Sequence, residues 1–559
     1  MKKKGATLVT VLVIIFLLLT VSTVALTMAS SSLKAHTSID NVDKVNLAAR
    51  SGIQLGIAKV NKDRTNLNRL NPVPFYENTI TCDVTFSLDP QSYIIINSRA
   101  YFNNGKYEKR LTYKTNSKLT SGDSGTIADY FAKNVLSSLG DINDSSVAPV
   151  IGNGSNCTTN ITGSLNLQGN RIDLNSKLNV TGDISAIAKT DVIYKWDNPT
   201  SPKNLYIQAG GDAIIQSSIS VSNSVKVLAN NDITLSWTNA TLNGTAQYQA
   251  GRDIIVESDL QNNATLSLVA ARDINLKHNN NDISSTGPIY MQGGGNIILN
   301  KSIVSTAPVT MIAGNNIPFA SYTYNISGQT YLKAGSTIDV PNGVTVNLGN
   351  TYIESNVLDY NGGTIKSNSY PPRIDTNVNT IQHESWGGAL IPSNTPVASR
   401  APSPPAVAPA LLSAINTVNR IKQVNTAIPY NNQYDTTYSD LAFIKIRGSD
   451  ENAIKYALNP PAGTFSNTNT LKFIIIDGDV NLDWRFNGLA ANNTFRNYII
   501  YCTGTFGVSW TPYIFNNSSI ISKSLNILTE NFSISQINST VMTQSIKDRI
   551  NEYCDRYLK

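Results

Sequence analysis

Five aspartates, Asp191, Asp212, Asp232, Asp253 and Asp273, recur at near-constant spacing in the middle of the chain. If the chain coils so that each lies above the last, their carboxylates form a row about 4.8 Å apart. Such a row of oxygens is the ligand type that Ca²⁺ takes. The competing role is a turn, in which an aspartate side chain accepts a nearby backbone N–H where the chain bends. Arg171 heads the same column, and Asn296, Asn316 and Thr337 continue it. Turn formers replace one another in this way and metal ligands do not. The column therefore reads as a corner, and no metal is expected.

The other reactive residue types gather no constellation. The three histidines, His36, His278 and His383, fall in a stalk, a repeat tail and a linker. No phosphate-cradling loop, His-Glu-x-x-His pattern or nucleophile elbow is visible. Gly293-Gly294-Gly295 is corner material. The spacing of Cys82, Cys157, Cys502 and Cys554 fits neither a zinc site nor a redox motif. Outside the cytoplasm such cysteines pair or stay as buried thiols. The local choice is Cys82 with Cys157 and Cys502 with Cys554, one of three pairings. No cofactor is expected, and the chain does not read as an enzyme.

The elements that must position the aspartates come from a repeat. Copies of a frame small–Gly–x–Asp–Ile–x–Leu start at residues 168, 188, 209, 229, 250, 270, 293, 313 and 334. Such regular spacing is the signature of a repeat architecture. Five residues into the copies stand Ile172, Val192, Ala213, Ile233, Ile254, Ile274, Ile297, Ile317 and Ile338. Two residues later stand Leu174, Tyr194, Ile215, Leu235, Val256, Leu276, Leu299, Phe319 and Val340. A spacing of two places both columns on one face of a strand. Further apolar sets precede each turn and follow about ten residues on, so each period holds about three short strands. The predicted fold is mainly β, a right-handed parallel β-helix (β-solenoid) over residues 160–370. Composition agrees. Apolar residues make up 41% and charged residues 15%, which excludes a disordered, highly charged chain. Like charges stacked every rung repel, so ladders favour neutral side chains.

The 559 residues carry a net charge of +6, from 44 Lys and Arg against 38 Asp and Glu. Half of that excess is Lys2, Lys3 and Lys4, directly before Gly5. An uncharged run of about 24 residues follows from Ala6, enough to cross a membrane as a helix. Flanking lysines predict a cytoplasmic N-terminus with the bulk of the chain outside. The lysines are thus a topology signal, and nucleic-acid binding is not expected. The competing reading is a secretory signal ending near Thr27-Met28-Ala29, but its apolar run would be unusually long.

Lysines running into Gly5-Ala6 resemble a class III prepilin leader, which implies cleavage between Gly5 and Ala6 by a prepilin peptidase. In that family the apolar helix is kept as membrane anchor and filament core. Major pilins carry Glu at the fifth mature position, here Thr10; its absence points to a minor subunit. Ala48-Ala49-Arg50-Ser51-Gly52-Ile53 resembles a stretch of minor pilins of the PilX type, with Arg50 in place of an acid. Strands over 80–88, 93–98 and 109–114, with Asn103-Asn104-Gly105 as a hairpin turn, are similar to the module after the pilin helix. This resemblance covers about residues 1–120. The central frame resembles the repeats of filamentous-haemagglutinin-like adhesins over about 165–345.

The expected organisation is a leader over 1–5, a transmembrane and stalk helix over 6–65, a pilin-like β module over 66–125, and the solenoid. A Pro-rich linker and a short helix occupy 371–424, where proline density predicts an extended connector. A β-rich C-terminal part over 425–559 ends in an amphipathic helix candidate over 541–558, expected to cap the solenoid. Strands are predicted over 471–476, 497–501 and 525–528, which extend the solenoid or sit beside it. The functional expectation is a structural surface protein: a minor, tip-placed subunit of a type IV pilus-like filament displaying a β-helix for adhesion or assembly. Its implied partners are prepilin peptidase, other pilin subunits, the assembly machinery, the membrane and a host or glycan ligand. The alternatives are a membrane-anchored adhesin outside any pilus, and an envelope polysaccharide-binding or cleaving β-helix.

Overall fold

The computed structural model describes residues 41–59, 70–118, 127–382 and 421–559, short stretches within the first three ranges excepted. The leader residues Lys2, Lys3, Lys4, Gly5 and Ala6, the uncharged run, all three histidines and most of the Pro-rich linker lie outside the described residues. Among the described residues no helix is long and apolar enough to cross a membrane. The chain forms two compact units, residues 1–126 and 127–559.

In the first unit, helix α1 (41–59) packs on an antiparallel sheet of strands Val73–Phe75, Ile80–Leu88, Tyr93–Phe102 and Glu108–Lys118. Its face Val45, Ala48, Ala49 and Ile53 meets the alternating inward residues Ile80, Cys82, Val84, Ile94, Ile96 and Ala100. Period-two alternation on the sheet and helical spacing on α1 give each element one apolar face. Gly52 and Gly56 allow a close approach. A Cβ on Gly52 would stand 2.2 Å from Ser98 Oγ, and one on Gly56 would stand 2.4 Å from Ile96 Cγ2.

The second unit is a parallel β-solenoid. One coil shows the plan. A first-face strand Asn204–Ala209 is followed by a corner, a second-face strand Ala213–Gln216 and a short third-face strand Ser220–Val221. The next coil repeats this with Ser224–Ala229, Ile233–Leu235 and Asn239–Leu242. The small residue opening each copy of the frame pairs with its counterpart, Ala209↔Ala229↔Ala250↔Ala270↔Gly293↔Ala313↔Ala334. The second-face column pairs as Ile172↔Val192↔Ala213↔Ile233↔Ile254↔Ile274↔Ile297. These side chains are fully buried in one continuous interior core.

The C-terminal part belongs to the same solenoid, at the opposite end from the one it follows in sequence. Strands Leu441–Arg447, Leu471–Asp477, Tyr498–Ser509 and Ser519–Leu528 stack in parallel in that order. The last pairs with Asn134–Leu139 through Ile520↔Leu136, and that strand pairs with Ser164–Gly169. The third face agrees, with Asn531–Ser535 pairing with Thr158–Thr162. The stack thus begins at residue 441, is joined by the chain at Asn134 on its fifth rung, and runs on to Arg373–Ile374. Its fifteen successive first-face pairings span about 72 Å at the usual strand spacing. Ile421, whose N–H donates to Leu139 O at 3.1 Å, lies eleven rungs from the final one. Those rungs amount to about 53 Å. From Gln382 to Ile421 there are 421 − 382 = 39 residue steps, a reach of about 130 Å when extended. The connection therefore has length to spare.

The continuous apolar runs here, such as Ile474-Ile475-Ile476, mark strands covered on both faces. Ala442, Ile444, Ile474 and Ile500 face the interior core. Phe443, Phe473, Ile475, Ile499 and Tyr501 face outward into a second core. Helix α2 (Ile127–Lys133) and the terminal helix α4 (Gln544–Tyr557) cover that outer face, the latter through Ile546, Ile550, Tyr553, Cys554 and Tyr557. The terminal helix, expected to cap the solenoid, covers its flank because these outward apolar side chains need shelter there. Helix α3 (Glu451–Leu458), capped by Asp450, instead closes the interior at this end with Ile454, Ala457 and Leu458. Residues 421–424 are not helical.

Candidate functional site

The aspartate column forms an unbroken ladder along one corner. The Asp212 N–H donates to Asp191 Oδ1 at 2.9 Å, and the Asp232 N–H to Asp212 Oδ1 at 3.1 Å. Asp253 donates to Asp232 at 3.0 Å and Asp273 to Asp253 at 3.1 Å. Asn296, Asn316 and Thr337 continue the chain of bonds at 2.6, 3.2 and 3.1 Å. Each side chain accepts from the residue at the same position one coil on. A local Asx-turn bond was the expected arrangement; stacking at rung spacing instead brings the next coil's N–H within reach. The drift from Asp to Asn keeps the accepting Oδ1, which explains why the substitution is tolerated.

Charge along the corner is partly offset. Arg252 reaches back one rung to Asp232 with both Nε and Nη2, and Arg272 does the same to Asp253. The guanidinium bonds hold the Asp232 and Asp253 carboxyls below the usual carboxylate range, against burial that acts the other way. Among the described residues no group of three or more His, Cys, Asp or Glu side chains is placed to hold a metal ion.

The four cysteines are free and buried. The suggested pair Cys502 and Cys554 is separated by the sheet itself. Cys502 sits in the interior core with its thiol on Gly478 O at 3.2 Å, whereas Cys554 belongs to the outer core under α4. Burial pushes the Cys502 thiol up to about 12, and it raises Cys82 and Cys554 as well. These three are not poised as nucleophiles, because the thiolate is the reactive form. Cys82 lies in the first unit beside Ser98 Oγ at 3.3 Å, and Cys157 lies in the solenoid.

In the second unit the exposed large apolar side chains among the described residues are Val304, Trp484 and Trp510, the last two 69% and 85% exposed. The pairings Val480↔Phe506 and Leu482↔Val508 put both tryptophans two residues beyond one rung step, at the same corner of successive coils. Trp510 has φ +67, a left-handed conformation that a bulky residue rarely adopts. The corner is pinned from beneath, since Tyr513 O–H donates to Asp483 O at 2.8 Å and Thr529 Oγ1 donates to Thr511 O at 2.9 Å. Trp237 and Trp386 lie outside the described residues. Sequence reasoning missed the Trp484–Trp510 pair, because its signal is a shared offset from two strands whose pairing no repeat announces.

Two lysines are buried. Lys445 donates to Asn425 O at 2.8 Å and Ile428 O at 2.6 Å, tying the segment before the first rung onto its outer face. Lys301 donates to Ser258 O two coils away.

No protein-family model matches the chain, and no curated protein sequence does. Among solved structures, the chain is similar to C-terminal domains from Caldicellulosiruptor. The tapirin C-terminal domain of Caldicellulosiruptor kristjanssonii is 13% identical, over 73% of this chain and 97% of that one, with a TM-score of 0.21. That of Caldicellulosiruptor hydrothermalis is 14% identical, over 76% and 94%, with a TM-score of 0.32. A possible adhesin C-terminal domain from Caldicellulosiruptor kronotskyensis is 15% identical, over 75% and 96%, with a TM-score of 0.25. At such low identities and TM-scores they assign no activity to this chain.

Proposed function

We propose that this chain is a non-catalytic surface protein that holds its β-solenoid outside the cell as a rigid module for adhesion or assembly. The observation that carries this reading is the uninterrupted ladder of parallel rungs around one interior core. Each strand pairs with its counterparts in the adjoining coils, so such a stack gives an extended side surface for binding. The finer reading is a minor, tip-placed subunit of a type IV pilus-like filament. Support for it comes from Lys2-Lys3-Lys4-Gly5-Ala6 and the uncharged run after them, and from α1 packed on a four-stranded sheet next in the chain. Its partners would be prepilin peptidase, other pilins and their assembly machinery, with the membrane holding the uncharged segment before assembly. N-terminal sequencing of the mature protein tests it. A start at Ala6 is expected; a start at Ser30 or Met1 would leave an anchored or secreted adhesin in its place.

Polysaccharide binding is a second reading, favoured by Trp484 and Trp510. Tryptophan faces present large, rigid contact area with a polar edge, and an exposed pair at one corner suits flat rings. Screening the full chain against insoluble polysaccharides tests it, and retention unchanged by Trp484→Ala and Trp510→Ala would sink it.

A further inference from the structure

At the first rungs of the solenoid a cleft of about 360 Å³ opens between the 459–468 loop and the corner around 494–498. That volume is at the small end of the range for ligand pockets. Its lining contains two cations, Lys472 and Arg496, and no Asp or Glu. Three aromatic residues, Phe465, Phe495 and Tyr498, and the amide and hydroxyl groups of residues such as Asn467 and Thr468 complete the walls.

Lys472 is in an unusual place. The register Ala442↔Lys472↔Tyr498 puts it in an inward column whose neighbours above and below belong to the interior core. An apolar side chain is what that column calls for. The ammonium lies 4.6 Å from the centre of the Tyr498 ring and 5.6 Å from that of Phe465. It donates to Arg496 O at 2.9 Å. Among the described residues neither Lys472 nor Arg496 has a carboxylate partner. Burial alone lowers the Lys472 ammonium to about 8, the mark of desolvation with nothing to offset it. The two fully buried lysines differ. Lys445 is held by two carbonyls within the fold, and Lys301 is accompanied by the nearby charges of Asp259, Asp282 and Glu257.

We propose that this cleft binds an acidic sugar unit, its anionic group received by Lys472 and Arg496 and its ring laid against the half-buried Phe465. The ammonium is half-buried with a carbonyl but no carboxylate beside it, and an anion entering the cleft supplies the missing opposite charge. Arginine and lysine with free donors suit a carboxylate or sulfate. The Phe465 face and the Asn and Thr groups suit the ring and its hydroxyls rather than a bare ion. This deepens the adhesive reading by naming a ligand class. It fails separately from it, since surface display does not depend on what the cleft holds.

The test is calorimetric titration of the full chain at pH 7 with glucuronate, glucose and inorganic sulfate, repeated on Lys472→Met, Lys472→Arg and Arg496→Gln. The expected result is glucuronate binding at least tenfold tighter than glucose or sulfate. Lys472→Met should weaken it at least tenfold with no fall in melting temperature, because Met suits the inward column. Lys472→Arg should keep most of the binding, and Arg496→Gln should lose several-fold. Absence of glucuronate binding, equal binding of glucose or of sulfate, or full binding by Lys472→Met would each overturn the proposal. A loss of stability in Lys472→Met with no binding in the wild type would identify the lysine as a packing group only.

Discussion

Asp253 offers the sharpest test of the corner ladder. Its Oδ1 accepts from the Asp273 N–H at 3.1 Å and from Arg272 Nε at 2.7 Å. The carboxylate is mostly sheltered while the arginine is largely exposed, at 14% and 59%. Asp253→Ala removes the acceptor and strands a backbone donor at the corner. A hydrogen bond to a charged group contributes about 1.5–3 kcal/mol. The exposed arginine adds about 0.2–1 kcal/mol at most, so a local cost of about 2 kcal/mol follows. Asp253→Asn keeps an accepting Oδ1 and loses only the ion pair, costing about 0.5–1 kcal/mol. Solenoids need not unfold in one step, so the assay is native-state hydrogen exchange at the Asp273 amide. About 2 kcal/mol corresponds to roughly 30-fold faster exchange, and the Asn variant should show about a tenth of that increase. The pH dependence has a definite sign. The folded carboxyl is held below its unfolded value, so the unfolded chain takes up the proton first. The contribution is therefore full above about pH 4 and is lost as pH falls through the folded value. The Asn variant should lack this acid-sensitive step. Exchange in Asp253→Ala within threefold of wild type, or equal exchange in the Ala and Asn variants, would refute the ladder argument.

Other consequences can be checked alongside. Lys445→Ala leaves the Asn425 and Ile428 carbonyls without their donor, at a cost of about 2 kcal/mol; limited proteolysis should then cut near residue 428, which the wild type resists. Gly56→Val places side-chain carbon where 2.4 Å separates a Cβ from Ile96. Overpacking of this kind costs about 1–3 kcal/mol, measured as earlier melting of the first unit with the solenoid unaffected. Trp510→Gly relieves a left-handed backbone and should stabilise its corner by about 1 kcal/mol, read as slower exchange there. Lys472 faces Arg496 and Tyr498 and holds its proton only below about pH 8 when folded. The unfolded chain keeps that proton to about pH 10.4, so stability should rise across this interval, and Lys472→Met should abolish the rise.

The repeat was legible because a solenoid turns sequence period directly into spatial neighbours. The columns headed by Ile172 and Leu174 became interior ladders at the register the spacing implies. The terminal helix was legible from Ile546, Ile550 and Tyr553 on one side. What the pattern could not reveal was which strands from distant parts of the chain meet. Ile520 pairs with Leu136 across 384 residues (520 − 136), and no periodicity encodes that contact. The long C-terminal coils also lack the Ala-Gly-x-Asp corner, so their continuation of the stack carried no shared motif. The same gap hid the cleft. Lys472 reads as an ordinary strand lysine until Ala442 and Tyr498 flank it and the 459–468 loop closes over it. Short α3 was missed because an eight-residue helix shows little more than two turns of periodicity.

The position of the cleft, the cover provided by α4 and the ends of the rod all depend on the C-terminal coils opening the stack. Asn160 and Ser533 face each other across that junction, with Asn160 Nδ2 donating to Ser533 Oγ at 3.3 Å. Neighbouring strands lie about 4.8 Å apart, within the Cα range that a disulfide spans. In the double variant Asn160→Cys/Ser533→Cys, mild oxidation should give one cross-linked peptide joining segments 373 residues apart, with the four native thiols remaining buried. Two freely alkylated thiols and no such peptide would mean that the C-terminal coils lie elsewhere.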